Sequence, residues 1–106
     1  MKSINITMVR GDTLSFCVEP EGLNQDLESA YFSCKQEPND STYTFQKSLG
    51  NGITKAEANK YRIRVAPEDT KNIDIGNYYY DFEIGVNSDV FTILKGLLTV
   101  EQDITT

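Results

Sequence analysis

The segment Asp74-Ile-Gly-Asn-Tyr-Tyr-Tyr-Asp-Phe-Glu-Ile84 constrains the fold more than any other part of the chain. From Tyr78 onward, Tyr78, Tyr80, Phe82 and Ile84 fall on one side, and Tyr79, Asp81 and Glu83 fall on the other. Alternation with period two is the pattern of a strand that buries one face. Gly76, just upstream, opens backbone conformations closed to residues with a Cβ. A tyrosine after such a turn in a sandwich domain packs its ring inward and returns its hydroxyl to nearby backbone. The segment therefore predicts the central strand of a β-sandwich, with Tyr78 and Tyr80 in its core.

Six further alternating segments surround it. They cover residues 4–8, 13–18, 29–36, 42–48, 60–66 and 90–100. Ile4, Ile6 and Met8 form the apolar side of the first; Leu14, Phe16 and Val18 that of the second; Ala30, Phe32 and Cys34 that of the third; and Tyr61, Ile63 and Val65 that of the fifth. In the last segment Phe91 and Ile93 hold one phase and Leu98 and Val100 the other, which predicts a bulge or kink at Lys95-Gly96. Turn chemistry separates the segments: Arg10-Gly11-Asp12, Glu19-Pro20-Glu21-Gly22, residues 37–41, Leu49-Gly50-Asn51-Gly52-Ile53 and Asn87-Ser88-Asp89. The Arg-Gly-Asp tripeptide sits tightly between two strands, so a glycine turn with a capping aspartate is expected there rather than a recognition motif. Residues 54–59 read as a short polar loop. Pro67 followed by Glu68 and Asp69 predicts a short helical crossover, because proline suits the first helical position and acids complement the positive end of the helix dipole. Residues 101–106 read as a polar tail that frays or passes to a neighbour. The expected fold is an all-β, immunoglobulin-like antiparallel sandwich of about seven strands with one helical crossover, in a single domain over residues 1–106. A small barrel obeys the same local rules and is the competing architecture.

Composition limits function. The chain has 106 residues, a net charge of −6 and no histidine. An acidic protein is a poor partner for a nucleic-acid backbone or an anionic membrane surface. Without histidine the commonest general base and metal ligand is missing. No nucleophile elbow, phosphate-cradling loop or calcium-loop pattern occurs. The expectation is a non-enzyme with no catalytic residues, no cofactor and no metal site. Cys17 and Cys34 occupy opposite phases of their strands, so two free thiols are expected. No apolar leader or membrane-length run is visible, which predicts synthesis and retention in the cytosol, or assembly from there.

The residues with something to offer are outward-facing. Tyr31, Tyr43 and Tyr79 fall on outward or ambiguous phases, and tyrosine is enriched at protein interfaces. Cross-strand pairing within the sheet uses the same residues and is an equal alternative. Arg62 and Arg64 project outward from one strand of an acidic protein, as sites for an acidic partner or simply as solvated surface. Together these five are the candidate interface.

The order Arg10-Gly-Asp-Thr-x-x-Phe16, Ala30-x-Phe32-x-x-Lys35, Ala66-Pro-Glu-Asp-Thr70, Gly76-x-Tyr78-x-Tyr80-Asp81 and Gly96-x-Leu98-x-Val100-x-x-Asp103-Ile-Thr105 resembles small structural proteins of tailed bacteriophages. It looks most like the N-terminal immunoglobulin-like domain of the baseplate upper protein family, over nearly the whole chain. Each motif is strand-and-turn grammar; their order and spacing carry the resemblance. It implies a non-catalytic virion component of a phage or prophage, made in the host cytoplasm and acting by protein–protein contact. The implied partners are copies of itself, as a homo-oligomer, or another virion protein. In that family the domain precedes linkers and receptor-binding modules, whereas this chain ends at Thr106; a free-standing accessory domain, a head decoration or fibre component, and a fragment are the readings left open. The alternative function is a carbohydrate-binding module, against which the absence of tryptophan counts.

Overall fold

A computed structural model describes residues 2–23 and 25–104. The elements in chain order are β1 (Lys2–Ser3), β2 (Ile6–Val9), β3 (Leu14–Val18), β4 (Ser29–Lys35), β5 (Phe45–Leu49), β6 (Gly52–Glu57), β7 (Lys60–Val65), α1 (Pro67–Thr70), β8 (Gly76–Val86) and β9 (Asp89–Glu101). Strands pair in the order β1-β9-β8-β4-β5-β6-β7-β3, with β2 also on β9. Phe16 on β3 and Phe32 on β4 lie far apart along this path, yet their rings meet edge to face at 5.8 Å. The path therefore folds over on itself into two layers, with β9, β8, β4 and β5 in one and β6, β7 and β3 in the other.

The fold-over occurs at β5–β6. These strands are consecutive but run parallel, over only two residue pairs, Ser48 with Gly52 and Leu49 with Ile53. A connection this short cannot sustain a parallel ladder, so the strands meet at their ends and diverge, one into each layer. Gly50 and Gly52 make the crossing with φ of +87° and +96°.

β8 runs through the middle of the larger layer, antiparallel to β4 on one side and to β9 on the other. Its alternation is obeyed: Tyr78, Tyr80, Phe82 and Ile84 are buried, and the residues between them face outward. One core runs between the layers. It includes Phe32, Cys34, Ile53, Tyr61, Ile63, Val65, Phe82 and Leu98. Burying a Phe, Ile or Val side chain of this kind stabilises by about 1.5–3 kcal/mol. Phe32 is the hub of the aromatic packing, with Phe16, Phe45 and Tyr80 around it. The buried phenols find partners, as buried tyrosines need to. Tyr61 accepts the Leu27 N–H at 3.0 Å, Tyr80 donates to the Ile4 carbonyl at 2.6 Å, and Tyr78 donates to the Asp74 carbonyl at 2.6 Å. The last bond is the expected corner, with Gly76 at φ +139° beneath it. Burial pushes the pKa of both the Tyr78 and the Tyr80 hydroxyl up.

The short helix forms as expected and is tied at both ends. The Asp69 carboxylate accepts the Ala66 N–H at 2.7 Å and pairs with Lys47 at 2.8 Å. The wholly buried Thr70 accepts the Gly11 N–H at 2.8 Å, which anchors the Arg-Gly-Asp turn. In that turn Gly11 has φ +82°, while Arg10 reaches away to Asp103 at 3.0 Å and to the Ile73 carbonyl at 3.3 Å. Asp103 is thus held against the body rather than frayed; Thr105 and Thr106 lie outside the described residues. Cys17 is exposed and Cys34 buried, both as free thiols, and burial pushes the Cys34 thiol up to about 12.

Four further expectations need correction. Residues 54–59 are no loop: β6 extends to Glu57 and pairs with β7, turning at Asn59 with φ +62°. Only Ile53 of β6 is buried, so the strand has no apolar stripe and leaves no periodicity to read. The first strand is broken at Ile4-Asn5, leaving Ile4 45% exposed. The pairing is not wholly antiparallel, because β1 and β2 run parallel to β9. The β9 register slips at Ile93, between the pairs Phe82–Leu94 and Glu83–Thr92, and not at Lys95-Gly96. Gly96 has a different role: a Cβ there would collide with the Ile4 carbonyl, so glycine is what lets the chain between β1 and β2 lie against β9.

Replacing Tyr78 by Phe keeps the ring and deletes the corner bond. The loss expected in urea unfolding is about 1 kcal/mol, with the native circular dichroism spectrum unchanged.

Candidate functional site

The outer face of the larger layer can be built row by row from its register. Leu97 of β9 lies beside Tyr79 of β8, and Tyr79 beside Lys35 of β4. The next row is Lys95, Asp81, Ser33 and Gln46, and the third is Thr92, Glu83, Tyr31 and Ser48. Directly opposite residues on one face of a sheet are in side-chain contact range. Tyr43 precedes β5 and swings onto this face, where the Lys35 ammonium sits 5.1 Å from its ring centre, within cation–π distance. Tyr31, Tyr43 and Tyr79 are 39%, 50% and 43% exposed. They rim a shallow concavity of about 870 Å³ whose floor includes Ser33, Gln46, Asp81 and Lys95. Gln46 donates to Ser33 at 2.9 Å, which fixes part of that floor.

The charges on this face are mixed and uncommitted. Lys35 and Lys95 stand among Asp81 and Glu83, and none of the four enters a salt bridge among the described residues. Burial raises the Asp81 carboxyl above its ordinary pKa, and the nearby Lys35 charge only partly offsets this.

The five sequence candidates do not form one site. Tyr31, Tyr43 and Tyr79 come together. Arg62 and Arg64 lie on β7, on the outer face of the other layer, across from Cys17 and Ser15 of β3. Both arginines are exposed and make no salt bridge among the described residues. Strand phase alone shows that a residue points outward and is silent on which of two layers it points from. Sequence reading also passed over Lys35, Asp81, Glu83 and Lys95 as members of the tyrosine face. Their signal was present, because each shares a strand and a phase with Tyr31 or Tyr79, or stands across from one that does. Val90 and Phe91, 63% and 51% exposed, make a separate apolar tip at the β8–β9 hairpin.

With strands, layers and corner in place, the chain is an immunoglobulin-like β-sandwich. Solved structures agree. The NK cell receptor Nkp44, a triggering partner in natural cytotoxicity, superposes with a TM-score of 0.58 at 14% identity, covering 95% of this chain and 100% of that one. The swine CD8aa homodimer gives a TM-score of 0.54 at 17% identity over 93% and 92% of the two chains. The extracellular domain of the voltage-gated sodium channel beta4 subunit, described as parallel homodimers with a role in cell–cell adhesion, gives 0.53 at 16% identity over 98% and 95%. At these identities the likeness is one of fold. No family model matches the chain, and no curated protein matches it.

Asp81 provides a pH test. Its raised pKa means that the folded chain holds the proton more tightly than the unfolded chain, so its ionisation costs stability above the carboxylate range and costs nothing below it. Asp81→Asn is expected to raise stability at pH 7. The gain should disappear as pH falls below the ordinary aspartate range, read from urea midpoints of both proteins across pH 3–7.

Proposed function

We propose that this protein is a non-enzymatic protein-binding module whose contact surface is the tyrosine face of β9, β8, β4 and β5, and that it serves as a structural component of a bacteriophage or prophage virion. The observation that carries the binding role is the convergence of Tyr31, Tyr43 and Tyr79 on one shallow face around Lys35, Lys95, Asp81 and Glu83, which form no salt bridge among the described residues. Tyrosine offers large contact area with few rotamers to freeze, and mixed charges set the register of a partner. The similar folds include proteins described as homodimers, which supports association of the same kind, with a second copy or with another virion protein. The virion setting rests on the motif order from Arg10 to Thr105, and on no feature of the face itself. Repetition in a particle would multiply a modest contact through avidity. The non-enzymatic reading rests on a chain without histidine and on carboxylates spread over turns and outer faces.

A carbohydrate-binding role is the second reading. The tyrosine rings with Ser33, Gln46, Asp81 and Glu83 in one concavity are what favour it.

The test is direct binding of this protein to the purified products of the genes flanking its own, by calorimetry, with a glycan array in parallel. Binding to a capsid, tail or baseplate protein that Tyr31→Ala or Tyr79→Ala weakens by about 2 kcal/mol, roughly 30-fold, is the expected result. Arg62→Ala should leave it unchanged. A reproducible sugar signal lost in the same tyrosine variants would replace the proposal by the second reading. Flanking genes that are all metabolic would overturn the virion setting.

A further inference from the structure

The smaller layer ends on an open strand. β3 pairs with β7 through all five of its residues, and it is the last strand on its side of the sheet. Among the described residues no other strand or loop contributes a backbone hydrogen bond to it. Leu14-Ser15-Phe16-Cys17-Val18 carries no charge, no proline and no bulge, the devices that ordinarily keep an edge from pairing. Beside this edge, between the layers, runs an apolar groove of about 600 Å³, whose lining includes Ile4, Ile6, Phe16, Val18 and Ile93. Leu14, Phe16 and Val18 turn toward the interior but are only half-buried, whereas Ile63 and Val65 on the neighbouring strand are fully covered.

We infer that β3 is a homodimerisation edge: two copies of this chain pair their β3 strands antiparallel about Phe16, joining three strands from each copy into one continuous sheet. The strand's own sequence identifies a second copy as the occupant. Its pattern is the same read from either end, apolar–polar–aromatic–polar–apolar. A two-fold axis at Phe16 therefore sets Leu14 against Val18 of the second copy and Ser15 against its Cys17. Apolar side chains then share the groove side, and small polar ones share the outer side. Such a contact is isologous and closes at two copies. No like charges stand directly opposite one another at either end, since Glu19 would face Thr13 and Asp12 would face Pro20 of the second copy. Pro20, which lacks an N–H, stops the ladder just beyond. A one-residue shift to a Cys17 centre would set Leu14 against Pro20 and lose pairs. This edge belongs to the opposite layer from the tyrosine face, so the two surfaces can be tested apart.

Light scattering on the intact chain, from micromolar to about millimolar, is expected to show the mass rising to twice that of one chain. The double variant Ser15→Glu, Cys17→Glu is expected to return it to one chain. In the dimer it sets carboxylates directly opposite one another, while within each chain position 15 faces Arg64 and position 17 faces Arg62, so the fold is retained and is checked by circular dichroism. Tyr31→Ala with Tyr79→Ala should leave the dimer intact. The register has its own readout. Ser15→Cys should give a disulfide-linked dimer on oxidation, because position 15 faces Cys17 of the second copy, whereas the unsubstituted chain, with its two Cys17 residues out of register, should not cross-link. A monomer at the highest concentration, a dimer that survives the double glutamate variant, a dimer abolished by the tyrosine variants, or failure of Ser15→Cys to cross-link would each overturn the inference.

Discussion

The alternation along β8 is the constraint from which the rest of this structure follows. Tyr78, Tyr80, Phe82 and Ile84 commit one face to the interior, so a shift of one residue in either ladder would put three aromatic rings in water and two carboxylates in the core. The register of β4 and β9 is fixed by the same requirement. Phe32 must meet Phe82, and Tyr80 must reach both Phe32 and the Ile4 carbonyl. The Tyr78 hydroxyl then ties the start of the strand to Asp74, which fixes the angle at which the chain leaves α1 and enters the sheet.

The strand that organises the core also organises the surface. Tyr79, Asp81 and Glu83 stand outward because Tyr78, Tyr80 and Phe82 stand inward, and β4 and β9 add Tyr31, Ser33, Lys35 and Lys95 in matching rows. The core set and the candidate contact set thus sit on opposite sides of one backbone. Solvent-side substitutions can alter this outer face with little effect on the core. The β3 edge has a separate origin. β1 and β2 pair with β9 in the larger layer instead of with β3, which leaves the smaller layer a strand short and its groove open.

Much of this was legible in the sequence, for physical reasons that differ from element to element. The Tyr78 corner, the Asn87–Ser88 turn, the Pro67 helix and the inward sets of β4, β7 and β8 each carry a local signature: a glycine or left-handed residue at a turn, an acid at a helix start, or a period of two. β6 carries none, because its exposed Thr54, Lys55, Ala56 and Glu57 are held by β7 rather than by burial. The parallel seats of β1 and β2 depend on Gly96 some ninety residues away, a contact that no local window contains. The same limit applies to the candidate site. Outward phase singled out Tyr31, Tyr79, Arg62 and Arg64 alike, and only the fold-over at Gly50 and Gly52 separates the tyrosines from the arginines.

If the alternation of β8 organises the fold, then β8, flanked by β4 and β9, is the most securely held part of the molecule. Native-state hydrogen exchange tests it most directly. Amides of Tyr80 to Ile84 and their partners on β4 should exchange only through global unfolding, while those of β6 and β1 open locally and faster. Exchange of the β8 amides at rates matching β6 would contradict the account.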